Sequence, residues 1–416
     1  MPIGLTIKIK YVILVLFQYF KIMTMHVRGD VIMKKVCLLL FIFFLLISIN
    51  NHPVSANDNL DNDKQIIKEY FSDDYSGYRY PVLPEMSTWP YGNHQKMVEV
   101  SQIPEDILHN MTTKELLDTV LCYPLMSDFY AYDDINIGYE MVKKQFNALN
   151  ELSKREDRCT CLSDFLESRK DNIIKSRTDE NGLIVFDYKY RSQCISNILL
   201  SSYDFCDVDS KHTEIETQNR DAVPTSYTGL FKKAYYTQTT VQNIHGGPMG
   251  AIEYRVLEKW YFSDGSQQYI PLNDFSDEAI LFSNSVFYDD YHITPISSPT
   301  VKYNCHSYAW YQQLSPFWWI NLYNSTGYTS VGMQSANIDG IVVYFNSTGN
   351  NISYPLDYSH SARIISKIYG PSSVIGFNLR SKWGAGGLYD HTLENCPYYY
   401  YPPNSYSVAD RMYYNP

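Results

Sequence analysis

Apolar and polar positions fall into distinct regimes along the chain. Val36 to Ile49 is an almost unbroken apolar run, interrupted only by Ser48. Residues 57–92 are polar, rich in Asn, Asp, Tyr and Pro, and show no sustained apolar period, which predicts a linker or extended lead-in. From 101 to 170 the period is helical. Thr112 with Glu115 makes a capping box, and Leu116, Leu117, Val120 and Leu121 form one apolar face that Pro124 brings to an end. Val142, Phe146 and Leu149 then follow at i, i+4, i+7 in a longer helix, and Leu162, Phe165 and Leu166 mark a third.

Beyond residue 180 the pattern turns toward strands. Trp260 and Phe262, then Asp264-Gly265, then Gln267 to Leu272, read as a hairpin around an Asp-Gly turn. Gly246 to Gly250 reads as a loop, without the strand–helix context or the Lys of a phosphate cradle. After the extended segment Pro295–Pro299, Cys305 to Tyr311 predicts a short helix. Ile341 to Phe345, His360 to Ile365 and the run from Val374 predict three strands. The organisation expected is α+β. It comprises a lead-in at 57–92, a helical domain at 93–175, a mixed strand-rich region at 176–297 and a C-terminal domain at 298–416.

The apolar run has its own meaning. Met33-Lys34-Lys35 precedes it, Pro53 breaks it, and Val54-Ser55-Ala56 supplies small residues at the −3 and −1 positions. A basic start, a short apolar core and such an end describe a secretory signal peptide. The run is shorter than the ~20 residues of a membrane-spanning helix. Met33 is then the expected start, with residues 1–32 a mis-called extension, and the protein is expected to be secreted or on the cell surface. Cleavage after Ala56 removes six basic residues and one acidic, so the net charge moves from −11 to −16. That acidity argues against nucleic acid, which needs clustered Lys and Arg.

Seven cysteines remain, at 122, 159, 161, 194, 206, 305 and 396. An odd count in an exported chain suggests a free, reactive thiol. Cys159-Thr160-Cys161 has no neighbouring ligand cluster, so a disulfide partner or plain thiol is expected there. Cys194 and Cys206 are one possible pair. Asp128, Asp133 and Asp134 match no calcium-loop spacing. No metal and no cofactor are expected.

Cys305 is the candidate nucleophile. A thiol gains reactivity at a helix N-terminus and beside an imidazole. Unpaired amides of the first turn suit an oxyanion. His360, heading a strand, is the candidate base and then acid. His306 adjoins Cys305 but points elsewhere on a helix and is expected to be structural. Trp310, Trp318, Trp319 and Trp383 are expected in the core.

Asn304-Cys305-His306-Ser307-Tyr308-Ala309, the strand from Gly340 to Tyr344, and His360-Ser361-Ala362 together resemble the papain-like NlpC-type and CHAP amidase superfamily. The Ser381-Lys382-Trp383-Gly384 segment with Asp390-His391 looks like a secreted Gram-positive branch of it. The resemblance covers about a quarter of the chain. It implies a papain-like C-terminal domain and a cysteine peptidase or amidase acting on bacterial cell wall or a surface peptide, with possible cell-surface association. It also implies a third polar residue after His360. Ser372, Ser373, Asn378, Ser381, Lys382 and His391 are all available for it, and His391 also fits a surface loop. The alternative expectation is a catalytically inactive papain-like binding or interaction protein.

N-terminal sequencing of the exported protein should read Asn-Asp-Asn-Leu. A mature chain that still carries residues 33–56 would overturn the signal-peptide reading.

Overall fold

The computed structural model describes residues 56–132, 134–168, 176–202, 205–206, 224–262, 267–311, 319–322, 324–344, 360–398 and 411–416. The apolar run at 36–49 lies outside them. Among the described residues no helix is long and apolar enough to cross a membrane. The chain divides into a unit ending at Asp61 and a second unit, Asn62–Pro416. The regions expected as separate domains at 93–175, 176–297 and 298–416 all belong to that second unit.

The first helix, α1, is Ala56–Tyr70. Residues 62–92 are not the linker their composition suggested. Tyr70, Phe71, Tyr75, Tyr80, Leu83, Met86 and Trp89 are buried. The Tyr70 hydroxyl donates to the carbonyl of Cys122 and that of Tyr80 to the carbonyl of Thr119. A tyrosine counts as polar in a composition, yet its ring buries well once the hydroxyl has a partner.

The helical layer follows as α2 (His94–Val100), α3 (Glu105–Leu108), α4 (Thr113–Leu121), α5 (Ile135–Gln145), α6 (Asn147–Leu152) and α7 (Arg158–Glu167). The capping box at Thr112 is present in both directions. The apolar period through Val142, Phe146 and Leu149 spans two helices, because Phe146 is extended and breaks the ladder; all three residues remain fully buried. Cys159, on α7, is disulfide-bonded to Cys206, and Cys194 is a buried free thiol. Closing a loop with a sequence separation of 47 stabilises the fold by roughly 4 kcal/mol on the chain-entropy account.

Two further helices, α8 (Tyr188–Ser201) and α9 (Asp277–Tyr291), interrupt the strand-rich region. Each is buried on most sides and so lacks the polar face that marks an amphipathic helix in a sequence. Between them lies the first sheet, made of β1 (Pro224–Gln242), β2 (Pro248–Phe262) and β3 (Gln267–Leu272). β2 pairs antiparallel with both neighbours, and with β4 (Trp319–Leu322) near its start. The β2–β3 pair is the expected hairpin; its Asp-Gly turn lies outside the described residues. Gly246-Gly247 turns β1 into β2, but Pro248 to Gly250, expected in the loop, are already strand.

The second sheet follows α10 (Cys305–Trp310). Its strands are β5 (Thr329–Val331), β6 (Ile341–Tyr344), β7 (His360–Tyr369), β8 (Val374–Lys382), β9 (Leu388–Thr392) and β10 (Arg411–Asn415). Their order is β5-β10-β6-β7-β8-β9, and every pair is antiparallel. One face joins the main core through Val342, Tyr344, Ala362, Ile364, Leu379, Trp383 and Tyr389. The other packs Ile341, Val343 and Tyr414 against Ala309 and Trp310 of α10 and against Met249, Ala251 and Ile320 of the first sheet. The fold is therefore mixed α and β, as expected.

Buried charge ties the two halves together. Arg191 of α8 is 1% exposed. It donates to the carbonyls of Tyr123 and Pro124, bonds the Asp289 carboxylate and lies 3.8 Å from that of Asp290. Asp290 accepts from the Ser127 amide at 2.7 Å. Asp128 accepts from the Tyr291 hydroxyl and pairs with His94, each within 2.8 Å. Burial drives the Asp290 carboxyl upward while Arg191 pulls it down. Removing one partner from such a pair typically costs roughly 3–5 kcal/mol. Arg191→Met should therefore lower the free energy of urea unfolding by several kcal/mol. An unchanged unfolding midpoint would mean that the guanidinium contributes nothing net.

Candidate functional site

The helix that carries Cys305 is placed by its cap. Asn304 is extended, and its side-chain oxygen accepts from the Ser307 amide at 3.0 Å and the Ile320 amide at 3.2 Å. Its amide nitrogen donates to the Ile320 carbonyl. One buried Asn thus closes the first turn of α10 and pins that turn to β4. In the sequence Asn304 stands out only as part of the resemblance. An Asn placed immediately before an apolar helical run is a capping signal that can be read directly. Cys305 follows it, 5% exposed. With six residues, α10 sums few peptide dipoles, so it supplies little of the field a thiolate needs.

Ser361 of β7 receives this helix. Its hydroxyl bonds His306 Nδ1 at 2.7 Å and accepts from Trp310 Nε1 at 3.0 Å. His306 and Trp310 are buried, as expected of structural residues, and so are Trp319 and Trp383; Trp318 lies outside the described residues. Successive strand residues point to opposite faces. Ser361 faces α10, so His360 and Ala362 face the main core. Pairing confirms this for His360, which lies opposite Tyr344, itself in the main core.

His360 is fully buried there. Its Nε2 lies 2.9 Å from Ser381 Oγ, and its ring stacks on Tyr398 with centroids 3.7 Å apart. The same Ser381 Oγ lies 2.7 Å from His391 Nε2 and accepts from Trp383 Nε1 at 3.1 Å. His391 is on β9 and 5% exposed, so it is not in a surface loop. His360 and His391 are therefore brought together, with Ser381 between them. Strand alternation sets the His360 imidazole on the face of β7 opposite the one that Ser361 turns to α10, the helix that carries Cys305.

The protons of this cluster can be assigned. The Thr392 carbonyl can only accept, so His391 Nδ1, 2.8 Å away, carries the hydrogen. The Nε2 of neutral His391 is then an acceptor, and Ser381 donates to it. Trp383 can only donate, and Ser381 has a single proton, so His360 Nε2 must donate as well. The lone pair of His360 is left on Nδ1, which is buried and has no hydrogen-bond partner.

Burial sets the electrostatics. It drives the His360 pKa well below the ordinary imidazole value, helped by the neighbouring His391 and His306. It lowers His391 to about 4 against the pull of the Thr392 carbonyl and Asp390. On the other face, Lys382 is fully buried, with Nζ donating to the carbonyls of Gly384 at 2.8 Å and Gly386 at 2.6 Å. Gly384 has φ +38, and a Cβ there would meet the Ala131 backbone. The Ser-Lys-Trp-Gly segment thus docks the second sheet onto the helical layer and binds the histidine cluster through Ser381. Among the other candidates for a third polar residue, Asn378 bonds Ser366 and is exposed on β8.

Compared with protein-family models, with curated proteins and with solved structures, the chain matches none.

The depressed His391 pKa has a signed consequence. Between the ordinary value near 6.5 and about 4, the unfolded chain binds a proton that the folded chain refuses. The stability this group supplies is complete above that window and is lost as pH falls through it, amounting to roughly 3 kcal/mol at ~1.4 kcal/mol per unit. Urea unfolding from pH 7 to pH 4 should show the fall. His391→Gln should be less stable at pH 7 and show a shallower decline.

Proposed function

We propose that the protein is an exported binding or surface-interaction protein that carries the papain-like NlpC/CHAP-type pattern without its thiol chemistry. The observation that carries this reading is that His360 and Ser361 point to opposite faces of β7, and that Ser361 is the one that meets the helix of Cys305. General base catalysis needs the base within hydrogen-bond reach of the proton it takes, or one water away. Access argues the same way, since thiol and imidazole are both buried. Export is supported by the signal-peptide pattern and by the Cys159–Cys206 disulfide, which suits an oxidising compartment. The contact surface we favour is the β7–β8 hairpin, where Tyr369 and Ile375 are 69% and 60% exposed. A flat aromatic and an aliphatic on one rigid hairpin suit a peptide or cell-wall glycopeptide.

The hydrolase remains as a second reading because Cys305 opens a helix whose first turn is held by Asn304. The two readings part on thiol reactivity. On the binding reading, Cys305 labels with iodoacetamide at pH 6 no faster than Cys122, Cys194 or Cys396, and Cys305→Ala leaves binding to peptidoglycan unchanged while Tyr369→Ala weakens it. Rapid labelling of Cys305 that His360→Ala slows, together with amide hydrolysis abolished by Cys305→Ala, would replace this reading with the hydrolase.

A further inference from the structure

The resemblance gives the core face of the second sheet no part beyond His360 and a polar partner, yet that face gathers a set of potential metal ligands. His360, His391 and Cys396 are all buried, and one ligand atom from each lies within 4.8 Å of the other two. We propose that these three residues bind a divalent transition-metal ion of borderline softness, Zn2+ in the first instance.

The second observation is the orphaned lone pair. His360 Nδ1 sits in the core as a bare acceptor, and burying such an atom without a donor costs about 1–3 kcal/mol. A cation is the partner that a lone pair accepts when no N–H or O–H is at hand. The remaining nitrogens already have the outer partners that metal-binding imidazoles use. His360 Nε2–H is held by Ser381, and His391 Nδ1–H by the Thr392 carbonyl. Such bonds fix ring orientation and tautomer. Tyr398, stacked on His360, and the segment carrying Cys396 cover the cluster. His391 offers Nε2 once Ser381, whose Oγ lies 2.7 Å from it, moves aside to a new side-chain rotamer.

Two imidazoles and one sulfur select a borderline-soft ion over Mg2+ or Ca2+, which take oxygen ligands. Binding releases the Cys396 proton, because the ligand is the thiolate. Burial holds that thiol protonated, against the pull of the Tyr398 amide, the Tyr344 hydroxyl and Arg411, and Asp128 adds slightly to the effect of burial. A dipositive ion with one thiolate leaves one net positive charge in the core. Asp128 is placed to offset that charge, and Arg411 works against it. Three protein ligands leave room for a further ligand in the four-coordinate geometry such ions prefer.

The test uses the full mature chain, stripped with a chelator and then given Zn2+ or Co2+ alone. One equivalent of Zn2+ should survive gel filtration, and Zn2+ should raise the melting temperature. Co2+ should give a near-ultraviolet thiolate-to-metal absorption. Cys396→Ser should remove that absorption and weaken Zn2+ at least tenfold, the scale of effect seen when even outer partners are lost. Cys305→Ala and Cys161→Ser should retain both, which separates this site from the other thiols and from the function proposed above. If Cys396→Ser does not fold, the Co2+ spectrum of the two control variants decides the matter, because only Cys122, Cys194 and Cys396 are then common to both as free thiols, and Cys122→Ser and Cys194→Ser complete the set. No retained metal, or retained metal that Cys396→Ser leaves untouched, overturns the proposal.

Discussion

A guanidinium in a protein core needs carboxylates and carbonyls to take up most of its donors, and Arg191 imposes that condition on this fold. Its partners come from separate parts of the chain: the turn after α4 supplies the carbonyls of Tyr123 and Pro124, and the end of α9 supplies Asp289 and Asp290. Meeting the condition brings α8, α9 and the segment 123–128 to one point. Asp128, five residues from Tyr123, repeats the requirement with His94 and Tyr291. Once α9 is fixed at its end, Phe287 and Tyr291 are in place to receive Trp383. The second sheet is seated through that contact. Buried ion pairs add less net stability than well-packed apolar groups would. What this one contributes is a single mutual arrangement of helices, because each charge tolerates only one set of partners.

The second sheet then divides its two faces between different tasks. The face toward the helical layer holds the His360–Ser381–His391 cluster under Trp383 and Tyr398. The opposite face holds α10, with Ser361 as its anchor and Trp310 in the core shared with β2 and β4. Both faces are closed, and each closure is specific. Gly384 meets the Ala131 backbone on one side, and Asn304 clamps β4 on the other. A site that needed the thiol from one face and the imidazole from the other would have to breach this sheet.

Much of this architecture is legible in the chain. The capping box at Thr112, the pairing of β2 with β3, the short helix at Cys305 and the strands beginning near Ile341, His360 and Val374 all follow from local rules. The failures have physical causes. Residues 62–92 read as polar because tyrosine hides its buried ring behind a hydroxyl. α8 and α9 are covered on most sides, so they carry no polar stripe to reveal a period of 3.6 residues. Cys159 with Cys206 joins positions whose proximity depends on tertiary packing alone. The most consequential miss concerns direction. A histidine heading a strand was visible, but its face was not, because a shift of one residue between His360 and Ser361 exchanges the two sides of a sheet. Which side meets α10 depends on where Asn304 ties that helix, sixteen residues before Ile320 in sequence.

The strand order also bears on how the protein comes to be assembled. β10, the last of the described strands, does not lie at an edge. It sits between β5 and β6 and pairs with both. A ribosome delivers a chain from its N-terminus onward, and segments delivered first ordinarily begin to fold first. Here β5 and β6 face each other across a gap until residues 411–415 emerge, leaving Ile341 to Tyr344 with one side of its backbone unpaired. Among the described residues β5 joins the sheet through β10, so the sheet is complete only once residues 411–415 pair with both neighbours.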